Sequence, residues 1–336
     1  MNHSLVSIII PCFNNEKFIG QAIESCILQN YREKEIIIVN DGSTDSSSQV
    51  IDSYKDKIHI ITQQNTGGSG ARNRGIGIAK GKFIKFLDAD DFLEPGIIEK
   101  QVAHFSTLPE EPSVAVYGDV RIVDAESNQL RIRKWPKGFG DKAGIENLID
   151  FAIVTSTPLY KRNDILKVGG FNEKLRSGQE HELNIKLFLS GVIFQYFDEI
   201  VFNYREYHSP GRISARNWPL NEPWFMWDLV IHYEALLERA YPEANHSAHI
   251  ALASNLANAG RALIRAGHIH EARLHFLKAE RICPEKKYRI GNRYSVTKCY
   301  LAFQKLLGPS VTETVYFTLG QIKRHTVAWL YPRINT

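Results

Sequence analysis

Four short runs of apolar residues, at 5–10, 35–39, 58–62 and 82–87, each stop at a polar or acidic turn within the first hundred residues. Their Ile and Val content is near-continuous rather than alternating, as strands read when a sheet is covered on both faces. Between the runs the period changes. Residues 16–29 place Phe18, Ala22, Ile23 and Cys26 on one helical stripe, and residues 45–54 and 69–79 follow the same logic. Strand–helix–strand repetition predicts an α/β fold, a doubly wound, mostly parallel sheet with helices on both faces. Such sheets take ligands outside the carboxyl ends of their strands. The turns at 11–15, 40–45, 63–70 and 88–91 therefore converge on one edge as a binding cleft.

Farther along, residues 114–117, 129–132 and 194–197 read as strands, residues 178–189 as a helix and 135–144 as a Gly- and Lys-rich loop. Beyond residue 221 or so strand signals give way to helical stripes. The two-proline segment 217–223 marks the boundary between an α/β domain, 1–218, and an all-α region, 219–336. That region holds a pattern resembling one tetratricopeptide-type helix pair, with small residues at 256–267, Gly267 at a turn and Pro284 closing the unit. Two roles are open for it, packing appendage or docking surface for a protein partner. Residues 315–334 mix Trp329, Leu330 and Tyr331 with Lys323, Arg324, His325 and Arg333. They suit either a terminal helix packed on the core or a basic amphipathic helix making peripheral membrane contact.

A net charge of +4 on 336 residues, without basic blocks in the first two-thirds, argues against a nucleic-acid partner. The four cysteines, Cys12, Cys26, Cys283 and Cys299, have no paired spacing, so neither a disulfide framework nor a zinc site is expected. No secretory leader and no membrane-spanning apolar run is read in the sequence, and the expected location is cytoplasmic.

Asp88-Ala89-Asp90-Asp91 carries the chemistry of the cleft. Two like charges about 4 Å apart repel by roughly 4 kcal/mol at an effective dielectric near 20, which a cation relieves. Carboxylate oxygens suit Mg2+ or Mn2+, and those ions complete their shell with substrate phosphates. The competing reading is a turn in which Asp90 or Asp91 caps a helix beginning near Glu94.

Four stretches in order carry a resemblance to the family 2 glycosyltransferases of the GT-A fold. They are Val6-Ser-Ile-Ile-Ile-Pro-Cys-Phe-Asn-Asn-Glu16, Ile37-Ile-Val-Asn-Asp-Gly-Ser-Thr-Asp45, Asn65-Thr-Gly-Gly-Ser-Gly-Ala-Arg-Asn73 and Phe86-Leu-Asp-Ala-Asp-Asp91. The resemblance runs to about Ser214 and implies an inverting, metal-dependent transfer of sugar from a nucleotide diphosphate, UDP favoured, to an acceptor hydroxyl. It implies that Pro11, Phe13, Asn14 and Glu16 line the base and ribose pocket, and that Asp41 accepts from the base. Gly68 allows close backbone approach, Arg72 pairs with a phosphate, and Asp88 and Ala89 lie against the nucleotide sugar. Asp90 is the direct metal ligand. Bland alternatives stand beside these roles, a turn-capping Asp41 and a surface Arg72.

The same resemblance covers Gly169-Gly-Phe171 and Gln179-Glu180, where the second position holds the general base. Glu180 is that base here, with Gln179 where relatives often carry an acid, and Glu where Asp is commoner. A carboxylate near a helix N-terminus is the plainer reading of Glu180. His181 is expected against acceptor or cleft wall. Tyr204-Arg-Glu-Tyr-His208 through Ser214 resembles the family's closing motif, which brings His208 to the metal or diphosphate and Arg205 or Arg212 to the phosphates. The acceptor expected is a glycan, a lipid-linked intermediate or a protein, in surface polysaccharide or glycoconjugate synthesis. Two rival readings stand beside this one: a nucleotidyltransferase, which needs a Gly-rich Arg/Lys loop that residues 11–15 lack, and an inactive scaffold using its helical region for partners.

Overall fold

A computed structural model of the chain describes residues 4–135, 142–150, 153–175, 178–207, 223–240 and 246–284. The chain divides into two compact units, Met1–Ser209 and Pro210–Thr336.

The first unit is a ten-stranded mixed sheet. It begins with β1 (Val6–Cys12), α1 (Ile19–Ile27), β2 (Lys34–Asn40), α2 (Ser47–Asp52), β3 (His59–Thr62), α3 (Gly67–Ile78) and β4 (Phe83–Phe86). β5 (Phe92–Leu93), α4 (Ile97–Ser106), β6 (Val114–Val123), β7 (Gln129–Arg133), β8 (Lys142–Ala143) and α5 (Ile145–Asp150) follow. Then come β9 (Leu159–Lys161), α6 (Arg162–Lys167), α7 (Gln179–Leu189) and β10 (Ile193–Arg205). The strand order is β3-β2-β1-β4-β9-β6-β10-β5, with β7 on β6 and β8 on β10. β1, β2, β3 and β4 pair in parallel, β9 runs antiparallel between β4 and β6, and β10 returns parallel to β6. The carboxyl ends of β1–β4, β6 and β10 thus share one edge.

Alternate residues of β1 explain why both faces are covered. Val6, Ile8, Ile10 and Cys12 join the main core with Ala22, Ile23 and Cys26 of α1 and Ile97 and Ile98 of α4. Ile9 points to the opposite face, where Gly75 of α3 lets the helix approach: a Cβ there would sit 2.4 Å from the Ile9 Cγ2. Each fully buried isoleucine stabilises the fold by roughly 1.5–3 kcal/mol of transfer free energy.

Differences from the sequence reading have local causes. The expected strand at 194–197 extends to Arg205, continuing past Asp198 and Glu199 through a register shift in its pairing with β6. The segment after Asp91 forms β5 rather than a helix start at Glu94, and α4 begins at Ile97 after Gly96 with no side-chain cap. Asp90 and Asp91 are therefore not helix caps.

The second unit holds α8 (Phe225–Ala240), α9 (His246–Arg265) and α10 (Ile269–Ile282). Gly267, at φ +86°, turns the chain between α9 and α10. Gly260 lets them meet closely, since a Cβ there would lie 2.9 Å from the Phe276 ring. Lys278 pairs with Glu234 at 2.7 Å, tying α10 to α8. No helix among the described residues is long and apolar enough to cross a membrane. The terminal segment 315–334, Cys299 and all of the expected boundary 217–223 except Pro223 lie outside the described residues.

Candidate active site

The loops after β1 and β2 are laced together at the sheet edge. Asn14, at φ +50°, accepts from Thr44 N at 2.8 Å through Oδ1, while its own N donates to Ser43 Oγ at 3.1 Å. Glu16 N donates to Asp45 Oδ2 at 3.1 Å, and Ser46 N returns the bond to Glu16 Oε2 at 2.8 Å. Pro11 lies opposite Val39 in the β1–β2 register and is half-buried, whereas the Phe13 ring is 46% exposed.

Asp41 is 2% exposed and accepts four hydrogen bonds. Oδ1 takes Gln63 Nε2 at 2.8 Å, Thr66 N at 2.9 Å and Thr66 Oγ1 at 3.1 Å, and Oδ2 takes Gly67 N at 2.8 Å. It thereby anchors the N-terminus of α3. Its own turn is closed instead by Asn40 Oδ1, which accepts from Ser43 N at 3.0 Å. Gly42, at φ +78°, supplies the conformation that turn needs.

α3 then reaches two ways. Arg72 is 9% exposed rather than a surface cation, and its Nη2 meets Asp88 Oδ1 at 2.5 Å. Nη1 donates to Gln179 Oε1 at 3.4 Å, and the guanidinium lies 5.5 Å from the Phe171 ring centroid. A Cβ on Gly68 would press on Arg72 Nη1 at 3.0 Å. Among the described residues Arg72 Nε and Ser69 Oγ are buried without a hydrogen-bond partner, a donor-rich spot suited to an anionic oxygen. Next along α3, Asn73 reads the Phe171 backbone at two points, Nδ2 to O at 2.9 Å and Oδ1 from N at 2.9 Å.

The three carboxylates of the acidic motif have separate neighbours. Asp88 faces Arg72, and its N donates to Ser156 Oγ at 3.3 Å beneath buried Ala89. Asp91, 2% exposed, accepts the backbone N of Arg205 at 2.9 Å. Asp90 is half-buried, with Tyr207 OH 3.3 Å from Oδ2. No cluster of three or more metal-ligating side chains occurs among the described residues. A hard divalent ion held by one or two carboxylates plus substrate phosphates needs none. The carboxylate oxygens of Asp88 and Asp90 fit that arrangement.

Across from this, α7 begins at Gln179 after Gly178, which has φ +70°. Its two acidic residues differ. Glu182 is 3% exposed, paired with Lys186 at 3.2 Å and near Asn172 Nδ2 at 3.4 Å. Glu180 is half-buried, and no hydrogen bond or ion pair occupies its carboxylate among the described residues. Burial raises the Tyr160 phenol pKa, the Glu180 charge raises it further and Arg72 opposes them, so both charges lie within electrostatic reach of one ring. Burial lowers the His181 pKa against the opposing charge of Glu180. His208 and Arg212 lie outside the described residues.

Arg205 corrects an expectation. It is 1% exposed and bonded within the protein, so it is not placed to meet a phosphate. Sequence reasoning placed Gln63, Asn73 and Tyr207 within its motifs and turns without giving them a role, and it did not single out Lys85. Lys85 is fully buried and donates to Thr157 O at 2.9 Å and Gln101 Oε1 at 3.3 Å. For Lys85 the available signal was a lysine amid the apolar run 83–87.

The model of glycosyl transferase family 2 matches residues 7–168. An uncharacterized glycosyltransferase of Rickettsia conorii is 34% identical over 238 residues, covering 68% of this chain and 38% of that protein. One of Rickettsia typhi is 33% identical over 217 residues, covering 63% of this chain and 67% of that protein. The chain thus spans under half the length of the first relative. Among solved structures, S. aureus TarS 1–349 in complex with UDP aligns at TM-score 0.58 and 19% identity, covering 82% of this chain and 89% of that one. A mannosyltransferase from Pyrobaculum calidifontis, in complex with GDP-Man and Mn2+, aligns at TM-score 0.53 and 17% identity, covering 93% and 86%. At these identities the structural likeness speaks to the GT-A fold alone.

Proposed function

The chain belongs to glycosyl transferase family 2, and from that premise we propose that it moves a sugar from a nucleoside diphosphate, UDP by preference, to an acceptor hydroxyl with inversion at the anomeric carbon. The observation that carries the reading is the contrast between carboxylates. Asp41, Asp91 and Glu182 are held by internal donors, while among the described residues no bond occupies the Glu180 carboxylate. A carboxylate left in that state near Arg72 suits a general base.

In this reading Pro11, Phe13, Asn14 and Glu16 border the base and ribose, with Asp41 and Gly68 shaping the floor. Arg72, whose Nε has no partner among the described residues, turns toward a diphosphate oxygen. Asp90, with Asp88 beside it and His208 from the chain beyond, would hold Mn2+ or Mg2+. When bound, that ion supplies Lewis-acid stabilisation of the leaving diphosphate. Glu180 removes the acceptor proton as the hydroxyl attacks from the face opposite the leaving group, and a single displacement inverts the centre. The acceptor class proposed is a glycan, lipid-linked or protein hydroxyl of a surface polysaccharide or glycoconjugate, handled on the cytoplasmic side. Residues 1–218 would form the catalytic domain and 219–336 the helical one.

The test is nucleotide release from a panel of UDP-, GDP- and dTDP-sugars with Mn2+. One donor should be hydrolysed slowly, and Asp90→Ala should abolish that. With an acceptor found, Glu180→Gln should slow transfer by about 10²- to 10⁴-fold, the usual worth of a general base. Silence across the panel, together with no nucleotide binding by calorimetry, would favour an inactive scaffold.

A further inference from the structure

The end of β10 is built more elaborately than a strand terminus requires. Arg205 buries a guanidinium, which is expensive unless its donors are met. Here they are met on every side. Nε donates to the Asp90 carbonyl at 3.0 Å, Nη1 to the Ala125 carbonyl at 2.7 Å and Ser127 Oγ at 3.0 Å, and Nη2 to Gln21 Oε1. The plane lies 4.4 Å from the Phe18 ring centroid and 5.4 Å from that of Phe92. The backbone N of the same residue donates to Asp91 Oδ1 at 2.9 Å. Two residues on, the Tyr207 phenol reaches Asp90 Oδ2 at 3.3 Å, with its ring 4.9 Å from that of Phe18.

Asp90 is therefore gripped at its own carbonyl, at its neighbour's carboxylate and at one of its own carboxylate oxygens, all from β10 and the two residues after it. Without such a grip a half-exposed aspartate samples several rotamers, and a cation must select one of them. We propose that Arg205 and Tyr207 are positioning residues that fix the orientation of the Asp90 carboxylate toward the divalent cation, with Tyr207 holding Oδ2. This rests on Asp90 being the metal ligand. Groups that orient a metal ligand typically alter affinity by about 10- to 100-fold when removed.

Tyr207→Phe tests it cleanly, because it deletes the hydroxyl and keeps the ring against Phe18. Mn2+ binding would be followed by the electron paramagnetic resonance of free Mn2+ in the presence of UDP. Calorimetry of UDP without metal and a thermal melt would run alongside. The expected result is Mn2+ affinity weaker by about 10- to 100-fold, with metal-free UDP affinity and melting temperature unchanged. Arg205→Lys keeps the charge but loses the fork, and should also weaken Mn2+ binding, with a lower melting temperature. Wild-type Mn2+ affinity in Tyr207→Phe, when Asp90→Asn has lost it, overturns the inference and leaves the metal reading intact. A fall in melting temperature in step with Mn2+ affinity in Tyr207→Phe overturns it too, since Tyr207 would then serve only the fold. Unaltered Mn2+ binding in Asp90→Asn overturns the metal reading itself.

Discussion

The half of the sheet built from β1 to β4 and the half built from β6 to β10 meet the cleft in different ways. On the first, the strand-end loops bond to one another within about fifty residues of chain: Asn14 to Thr44, Glu16 to Ser46, Asp41 to Gly67. On the second, Gly169, Gly170 and Gly178 all have positive φ, and the segment is pinned from across the cleft by Arg72 and Asn73 of α3. A nucleotide edge that is bonded before ligand arrives pays little ordering cost on binding. An edge held by a few long-range bonds, as the one carrying Glu180 is, can be re-aimed by small changes. Under the proposed function, that difference is the one expected of a fixed donor chemistry combined with variable acceptors.

Three perturbations probe the contrast, in order of size. Asp41→Ala removes the buried, charged acceptor of four hydrogen bonds that anchor the N-terminus of α3, so it should destabilise the first unit by about 3 kcal/mol. Chemical denaturation of the full chain measures this. A loss near zero would mean that the nucleotide edge is not held before ligand binds. Asn73→Ala deletes both bonds to the Phe171 backbone and should cost about 1–2 kcal/mol. Its sharper signature is kinetic: acceptor KM rises while donor hydrolysis is unchanged. Equal losses in both would make the two edges a single body.

Lys85→Met gives the smallest effect and appears in pH dependence. Burial holds the Lys85 pKa well below its ordinary 10.5, so below 10.5 the unfolded chain binds a proton that the native chain resists. Native stability therefore rises with pH through that window, and the loss is regained as pH approaches 10.5. Urea midpoints at pH 7 and pH 9 should differ less in Lys85→Met than in the wild type. An unchanged slope would show that Lys85 stays protonated in the fold.

The same contrast governs what the sequence discloses. β1 to β4 and their loops are legible because burial on both faces forces long apolar runs, and the turns then stand out as interruptions. β5 and β9, of two and three residues, carry no such pattern and exist only because neighbours complete them. β10 is half hidden because Asp198 and Glu199 break its apolar run at the register shift. Within the candidate site, acidic and Gly-rich residues announce themselves by type. Asn73 and Tyr207 do not, since their partners lie 98 and 117 residues away. Arg205 misleads for a related reason: a cation beside acidic residues reads as a phosphate ligand until its burial is known.

β9 has a consequence in time as well as in space. β9 is the seam between the two strand sets: Leu159, Tyr160 and Lys161 pair with Lys85, Ile84 and Phe83 of β4, and Leu159 also pairs with Val116 of β6. β4 and β6 both precede β9 in the chain. A growing polypeptide can therefore assemble β1 to β4 from local strand–helix–strand units, but the sheet stays in two pieces until residue 161 is available. Joining them closes a loop of about seventy residues, an entropic step that local pairing does not face. The last strand set to be secured is then the one that holds β10, with its anchors of Asp90, next to α7 and its Glu180, so under the proposed function the edge assigned to the nucleotide forms before the groups assigned to the reaction.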